Sequence, residues 1–448
     1  MRKRSIPCVR RTARLVLLLA VGPCLVILCA SLSPCGLAAF PQQAKQAGSP
    51  EKSPNALMAS AQSAIKQQDY AAALKDLKPL ITSHPDYAPA WFDLAYAYTG
   101  LSQNGEAISA YQKAIALDPK LFQARLNLGI LLLNMNRPAD ALPQLKEAVA
   151  IQPGDAQAHR HAGHAYELTG DAAAAGKEFQ TAARLQPGSA RTLLDLGQFE
   201  FNQKDFAAAR DAFEKAAALD PKLLQAKLGA ALALTNLKQE AGAVPYFEQY
   251  LAANPGDVKA RYSLASVERY LGNGQGALSN LKLIEQKNPL FPGLNASLGS
   301  VYSLLRQYAE AEKYYRQALA SAPDEAGLHR GLADTLMQER NYSGAESEFR
   351  AALKLDPRDR AAASGLAASL YFQKRYAEAV PLLQQLVQAP PAAATNYFFL
   401  AASYDQLHDL RPAIEAYQQF LSLSHGSYPN QVWQAQQRIK LLEHELER

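Results

Sequence analysis

The chain has 448 residues, 48% of them apolar, and a mean hydropathy of −0.20, values that exclude a disordered chain and a protein with many membrane spans. The formal charge of +5 comes from residues 1–39, which hold six basic residues and no acidic one. The rest of the chain contains 40 of the 46 basic residues and all 41 acidic residues, so its charge is nearly balanced. It therefore gives no electrostatic reason to expect nucleic acid as a partner.

Residues 1–39 have the layout of a signal peptide. A basic stretch that ends at Arg14 precedes an apolar run from Leu15 to Leu32, and small residues follow up to Ala39. A run of about 18 residues is also long enough to span a membrane, so residues 15–32 could instead remain as an uncleaved membrane anchor. Both alternatives export the rest of the chain. We therefore expect a periplasmic or extracellular protein, secreted or anchored.

The four cysteines all lie within this first segment, so the body lacks thiols, which suits an oxidising compartment. Residues 40–53 are rich in Gln, Pro and Ser and show no periodicity. They predict a flexible linker.

From Pro54 a 34-residue period organises the chain. Eleven units fill residues 54–427, and in ten of them a proline occupies position 32. These prolines are Pro85, Pro119, Pro153, Pro187, Pro221, Pro255, Pro289, Pro323, Pro357 and Pro391. Position 8 is Gly or Ala in every unit, and position 20 is always Ala.

Each unit predicts two helices of about 14 residues joined by a short turn. Small residues at positions 8 and 20 let the two backbones cross closely, and a larger side chain there would overpack by about 1–3 kcal/mol. Large apolar residues at positions 7, 11 and 24 fill the space beside the crossing. The proline ends the second helix because it has no N–H and crowds the preceding turn.

This pattern resembles the tetratricopeptide repeat (TPR). The unit that begins at Ala88 carries the motif best, with Trp91, Leu94, Ala95, Tyr98, Ala107, Tyr111, Ala114 and Pro119. The resemblance implies an all-α, right-handed superhelical solenoid of helical hairpins, with a concave groove lined by the first helix of each unit. Residues 428–448 predict a C-terminal capping helix with Val432, Ile439 and Leu442 on an apolar stripe.

The sequence shows no phosphate-binding loop or nucleophile motif, so we expect neither an enzyme nor a cofactor. His161, His164 and Glu167 are three residues apart, as metal ligands on a helix can be, but a complete site needs further ligands. The adjacent groove positions offer Arg191 and Gln198 instead. We therefore favour a polar groove wall that titrates near neutrality over a metal site.

Positions 2, 5, 9, 12 and 13 of the units should line the groove. In its central part they give the candidate binding residues Arg160, His164, Glu167, Arg191, Gln198, Phe201, Lys259, Tyr262, Arg269, Arg330 and Asp334. The ends are more aromatic, with Phe92 and Tyr96 at one and Tyr371, Phe372 and Phe398 at the other. Such a surface suits an extended peptide or a partner helix. The alternative is that many of these residues pack on the next unit or are ordinary solvated side chains.

The sequence thus predicts an exported, non-enzymatic scaffold that binds a peptide or partner protein in its concave groove. A second hypothesis is a structural component of a cell-envelope assembly, or of a machine that exports polysaccharide or protein. A third, weaker hypothesis is a metal-dependent or sugar-modifying accessory.

Overall fold

A computed structural model describes residues 53–390, 393–425 and 427–448. The predicted signal or anchor segment, residues 1–39, and the linker up to residue 52 lie outside the described residues. Residues Pro54–Arg448 form one compact unit. None of the helices in the described residues combines the length and the apolar character needed to cross a membrane.

All regular structure in the described residues is α-helical. The first helices of the eleven units are α1 (Pro54–Lys66), α3 (Ala88–Gly100), α5 (Phe122–Asn134), α7 (Ala156–Thr169), α9 (Ala190–Asn202), α11 (Leu224–Asn236), α13 (Val258–Tyr270), α15 (Leu294–Leu304), α17 (Ala326–Gln338), α19 (Arg360–Phe372) and α21 (Ala394–Gln406). The second helices are α2 (Tyr70–Ser83), α4 (Asn104–Leu117), α6 (Pro138–Ile151), α8 (Ala172–Leu185), α10 (Phe206–Leu219), α12 (Glu240–Ala253), α14 (Gly274–Lys287), α16 (Tyr308–Ser321), α18 (Tyr342–Leu355), α20 (Tyr376–Gln388) and α22 (Leu410–Ser424). The last helix, α23, spans Pro429–Leu446.

Each helix packs against the next in the chain, and most first helices also touch the first helix of the following unit. Helix α23 packs on α22 and closes the array. These contacts confirm the predicted all-α superhelical TPR fold with a C-terminal cap.

The small residues lie where the helices cross. All eleven alanines at position 20 have no exposed surface, and the residue at position 8 is buried in every unit. The side chain at position 24 fills the space that they leave. Phe213, for example, lies so close to Gly197 and Gly229 that a Cβ atom on either glycine would come within 2.8 Å of its ring. Position 24 therefore packs against position 8 of its own unit and position 6 of the next.

The turn inside each hairpin has one recurring feature that the sequence did not reveal. Position 15 has a positive φ in all eleven units. Only Gly170 and Gly272 are glycines there; the other nine include Lys204 (φ 65°) and Arg340 (φ 61°). The left-handed conformation costs an ordinary residue about 1 kcal/mol. Packing between the two helices must therefore outweigh that strain in most units.

The proline at position 32 also has a second role. Its carbonyl accepts a hydrogen bond from the side chain at position 4 of the next unit, as from Trp91 to Pro85 (2.9 Å) and from Arg125 to Pro119 (2.9 Å). His329 contacts the Pro323 carbonyl in the same way (2.9 Å). These bonds satisfy backbone oxygens that follow a helix end and connect successive units.

Helix α23 continues the 34-residue frame. Ala435 occupies what would be position 8 of a twelfth unit, and it is fully buried together with Leu442. Val432 and Ile439 pack against the same core while partly exposed. Arg438 donates two hydrogen bonds to Asp405 of α21, at 2.7 and 2.6 Å. The cap is thus held by both apolar contact and a bidentate ion pair.

Candidate functional site

The first helices of successive units are connected along their concave side by polar side chains. These hydrogen bonds join residues 31 to 35 positions apart, roughly one repeat. Gln62 donates to Asp93 (3.0 Å) near the N-terminal end, and Tyr262 pairs with Ser297 (2.7 Å) farther along. The candidate binding residues predicted from the sequence lie on the same helices, within or beside this ladder.

Between α7 and α9, Asp195 is the centre of a polar network. Its Oδ2 atom accepts from Arg160 Nη1 (2.8 Å) and contacts His164 Nε2 (3.1 Å), and its Oδ1 atom lies 3.5 Å from Arg191 Nε. Burial alone would raise the pKa of Asp195, but the hydrogen bonds from His164 and Arg160 outweigh it and lower that pKa. Asp195 therefore remains ionised at neutral pH and neutralises most of the charge of Arg160.

His161 does not behave as the sequence suggested. Arg160 Nη2 donates to its Nε2 atom (3.0 Å). Burial, followed by the charges of Arg160 and His164, lowers the pKa of His161 to about 3. The expectation that this wall titrates near neutrality is therefore wrong for His161.

A metal site is not assembled around His161 either. The rings of His161 and His164 are 6.4 Å apart, and His164 is engaged by Asp195. Throughout the ranges that the structure covers, no three His, Cys, Asp or Glu side chains are grouped as metal ligands.

The remaining candidates on α7 and α9 are joined through Asn202. Its amide donates to Glu167 (3.1 Å), and Gln198 donates to its oxygen (3.0 Å). Phe201 is half-buried and packs edge-on against Phe206, with ring centroids 5.2 Å apart. Phe201 thus fits the alternative that part of this surface packs within the array.

Helix α13 contributes three candidates with different environments. Lys259 and Arg269 are exposed, and Arg269 Nη1 reaches the Ser300 hydroxyl of α15 at 3.4 Å. Tyr262 is half-buried, and its ring packs on Phe291 with centroids 5.0 Å apart. The two cations are available to a ligand, whereas the Tyr262 hydroxyl is already paired.

Helix α17 carries the last two candidates. Arg330 Nη1 forms an ion pair with Asp359 Oδ2 (2.7 Å). Asp334 is exposed, but its carboxyl group is partly desolvated. This partial desolvation raises the pKa of Asp334 to about 6, because the opposing effect of Arg330 is smaller.

Three residues of this surface were not among the predicted ones. Asp195 organises the network, Ser300 receives Arg269, and the Tyr315 hydroxyl reaches the groove floor. A Cβ atom on Gly331 would lie 2.9 Å from that hydroxyl. The polar residue at position 6 was a signal that could have identified Asp195, whereas Ser300 occupies position 9 and Tyr315 position 24 of their unit.

The C-terminal end of the concave face is aromatic and contains a cavity of about 260 Å³. Its lining residues are Tyr371, Phe372, Thr395, Phe398, Phe399, Phe420, Tyr428, Gln431 and Gln434. Phe372 is 44% exposed and Tyr428 is 42% exposed. At the N-terminal end, Phe92 instead packs between Tyr96 and Tyr111 at 6.5 and 6.1 Å.

Comparisons with known proteins agree with this architecture. The family model of the tetratricopeptide repeat matches residues 58–121, 126–190, 177–223 and 194–258. The model of the middle TPR-like domain of cilia and flagella-associated protein 70 matches residues 297–424. The protein is a tandem tetratricopeptide-repeat protein. A comparison with curated proteins gave no match.

Several solved structures are similar to this chain. Yeast Tom70 is 16% identical, with 88% of this chain and 96% of that chain covered and a TM-score of 0.36. MamA from Desulfovibrio magneticus RS-1 is 24% identical over 38% of this chain and 96% of its own, with a TM-score of 0.36. YrrB, described as a TPR protein with an unusual peptide-binding site, is 21% identical over 43% and 98%, with a TM-score of 0.40. These values establish no shared ligand or partner.

Proposed function

We propose that the protein is a non-enzymatic scaffold that binds an extended segment of a partner protein along its concave face. TPR proteins serve as protein-interaction scaffolds, and their fold is generally non-catalytic. The observation that supports the proposal here is the cavity between α19 and α23. It keeps Phe372 and Tyr428 partly exposed beside the buried ring of Phe420.

Exposed aromatic side chains around a concave pocket are typical of binding anchors. Burying an apolar side chain stabilises a complex by about 1.5–3 kcal/mol, and aromatic residues dominate the energetics of interfaces. The cavity is large enough for one apolar side chain, and Thr395, Gln431 and Gln434 can orient the adjoining backbone. The stacked helices are rigid, so little binding energy is lost in ordering the receptor.

The test is a direct affinity measurement. Peptides that bind the purified protein are selected from a random library, and their affinities are compared for the wild type, Phe372→Ser and Leu219→Ser. Leu219 is a matched control because it is 48% exposed at the end of α10, a second helix of a hairpin. We expect Phe372→Ser to weaken binding about tenfold and Leu219→Ser to leave it unchanged. Equal affinities for all three proteins would contradict the proposal.

We further propose that the array functions after export, either released or anchored. The basic and apolar order of residues 1–32 and the absence of cysteine from the body support this. Mass spectrometry of the mature protein from separated cell fractions tests it. A full-length chain found in the cytoplasm would be incompatible with export.

A further inference from the structure

We propose that the concave face from α9 to α15 selects an acidic segment of the partner, which Arg191, Lys259 and Arg269 bind through its side-chain carboxylates. This inference rests on the proposed function and adds the charge of the bound segment. It concerns a different part of the groove from the aromatic cavity.

The three cations share one face. Arg191 and Lys259 both occupy position 2 of their units, at the starts of α9 and α13, and Arg269 occupies position 12 of α13. Arg269 contacts Ser300 of the next first helix, and Arg191 approaches Asp195, which binds Arg160 and His164 of the preceding first helix. Both cations therefore lie on the side where successive first helices are bridged, and Lys259 is assigned to that side by its position in the unit. Helix α11, which lies between them, has the neutral residues Gln225, Leu228, Leu232 and Thr235 at the corresponding positions.

The charges of Arg191 and Arg269 are largely uncompensated within the described residues, and Lys259 is exposed although it lies near the Asp257 carboxylate. The Arg191 side chain is 67% exposed, and its carboxylate neighbour Asp195 is already bound by Arg160 and His164 at shorter distances. Arg269 contacts the neutral Ser300 hydroxyl, at 3.4 Å. An arginine in this condition can still form a bidentate pair with a carboxylate from a ligand.

The acidic groups around the same face are mostly engaged. Asp257 accepts from the Ala260 N–H (3.0 Å) and the Tyr250 hydroxyl (2.8 Å). Asp359 is paired with Arg330, and Glu167 accepts from Asn202.

Asp334 is the exception, since Arg330, the cation on its own helix, is paired with Asp359 instead. It places a negative charge on α17, at the far end of the basic stretch. The acidic segment should therefore end before α17.

Exposed ion pairs are individually weak, so selectivity must come from several together. Three such contacts give a preference of about tenfold over a neutral ligand. The preference should be lost at about 1 M salt, where the screening length falls to about 3 Å.

The experiment measures fluorescence anisotropy with the full-length protein and three labelled, C-terminally amidated peptides. They have the same length and the same aromatic positions, and they carry Glu, Gln or Lys at every second position. We expect the Glu peptide to bind about tenfold more tightly than the Gln peptide at low salt. The double variant Arg191→Ser/Arg269→Ser should remove that preference, and Asp334→Asn should increase it.

Each alternative outcome is decisive. Equal binding of the Glu and Gln peptides, in a protein that binds both, overturns the acidic selectivity and leaves the proposed function standing. If none of the three peptides binds, both proposals fail. If the Gln peptide with a free C-terminus matches the Glu peptide, the chain end is recognised, and this inference is overturned. If a single-stranded oligonucleotide bound more tightly than the Glu peptide, the proposal of a protein partner would likewise be overturned. Unchanged melting of the variants verifies that they fold.

Discussion

The middle of the concave face and its C-terminal end are built on one 34-residue frame but differ in chemistry. In the middle, α7, α9, α13 and α17 carry charged side chains at groove positions, and Asp195 organises those of α7 and α9. From α19 to α23 the aromatic residues Tyr371, Phe372, Phe398 and Phe399 surround a cavity. The frame determines how the helices stack, whereas the positions that vary determine what the groove can bind.

The apolar core also differs between the middle of the array and its C-terminal end. Buried apolar side chains form one continuous cluster from Ala265 to Leu442, whereas the segment between residues 175 and 267 divides into smaller clusters. Two buried carboxylates illustrate the contrast. Asp195 in the middle gathers Arg160, His164 and Arg191, while Asp405 at the end pairs with Arg438 of the cap. The Asp195 network contributes to the proposed binding surface, whereas the Asp405–Arg438 pair holds the last helix, α23, against the array.

The largest expected effect tests the role of the cap. Arg438→Ala should lower the free energy of unfolding by about 3 kcal/mol, because it leaves the Asp405 carboxylate buried without its cation. Chemical denaturation measures the loss, and hydrogen exchange should show faster opening of α23. Arg316→Ala is the control, since the Arg316–Glu312 pair is exposed and should contribute at most about 0.5 kcal/mol. Equal effects of the two variants would contradict a structural role for the Asp405 pair.

The second prediction separates the frame from the groove. Ala311 has no exposed surface at a helix crossing, so Ala311→Leu should overpack the core and destabilise the protein by about 2 kcal/mol. Arg191→Ala removes an exposed groove side chain and should leave the melting temperature nearly unchanged. Thermal melts of the two variants provide the comparison. If neither substitution changed the melting temperature, the assignment of buried and exposed positions would be wrong.

The sequence predicted the frame well and the state of individual groove residues poorly. A close helix crossing requires a small side chain, so positions 8 and 20 could be identified from Gly and Ala alone. The direction of a side chain follows from its position on a helix, so the sequence could also assign the candidate residues to one helix face. Which charges neutralise one another was not predictable, because the contact of Arg160 with Asp195 depends on rotamers that span two units.

The third prediction concerns pH and the Asp195 network. Because the folded protein lowers the pKa of Asp195, its contribution to stability is present above about pH 4, the ordinary carboxyl pKa, and is lost as the pH falls through the lower folded value. Asp195→Asn should therefore be about 1.5 kcal/mol less stable than the wild type at pH 7. The difference should shrink below pH 4. Denaturation curves at several pH values measure it, and a constant difference would show that Asp195 acts through shape and not charge.

The smallest effect sharpens the contrast within the core itself. Position 10 is apolar in the second to the eighth unit, as at Ala97 and Val301, but Thr335, Ser369 and Ser403 occupy it in the last three units. Ser369 donates to the Leu366 carbonyl (2.7 Å). Within the described residues, the Ser403 hydroxyl is buried with no hydrogen-bond partner.

A buried hydroxyl without a partner destabilises the folded state, because it gives up its bonds to water. Ser403→Ala should therefore raise the free energy of unfolding by about 1 kcal/mol, while Ser369→Ala should lower it by a similar amount. The two serines are a matched pair, fully buried at the same position of adjacent units. Opposite signs in urea denaturation are expected. A loss of stability in Ser403→Ala would mean that the Ser403 hydroxyl has a hydrogen-bond partner in solution. The buried polar groups of the C-terminal core would then be hydrogen-bonded as completely as those of the middle.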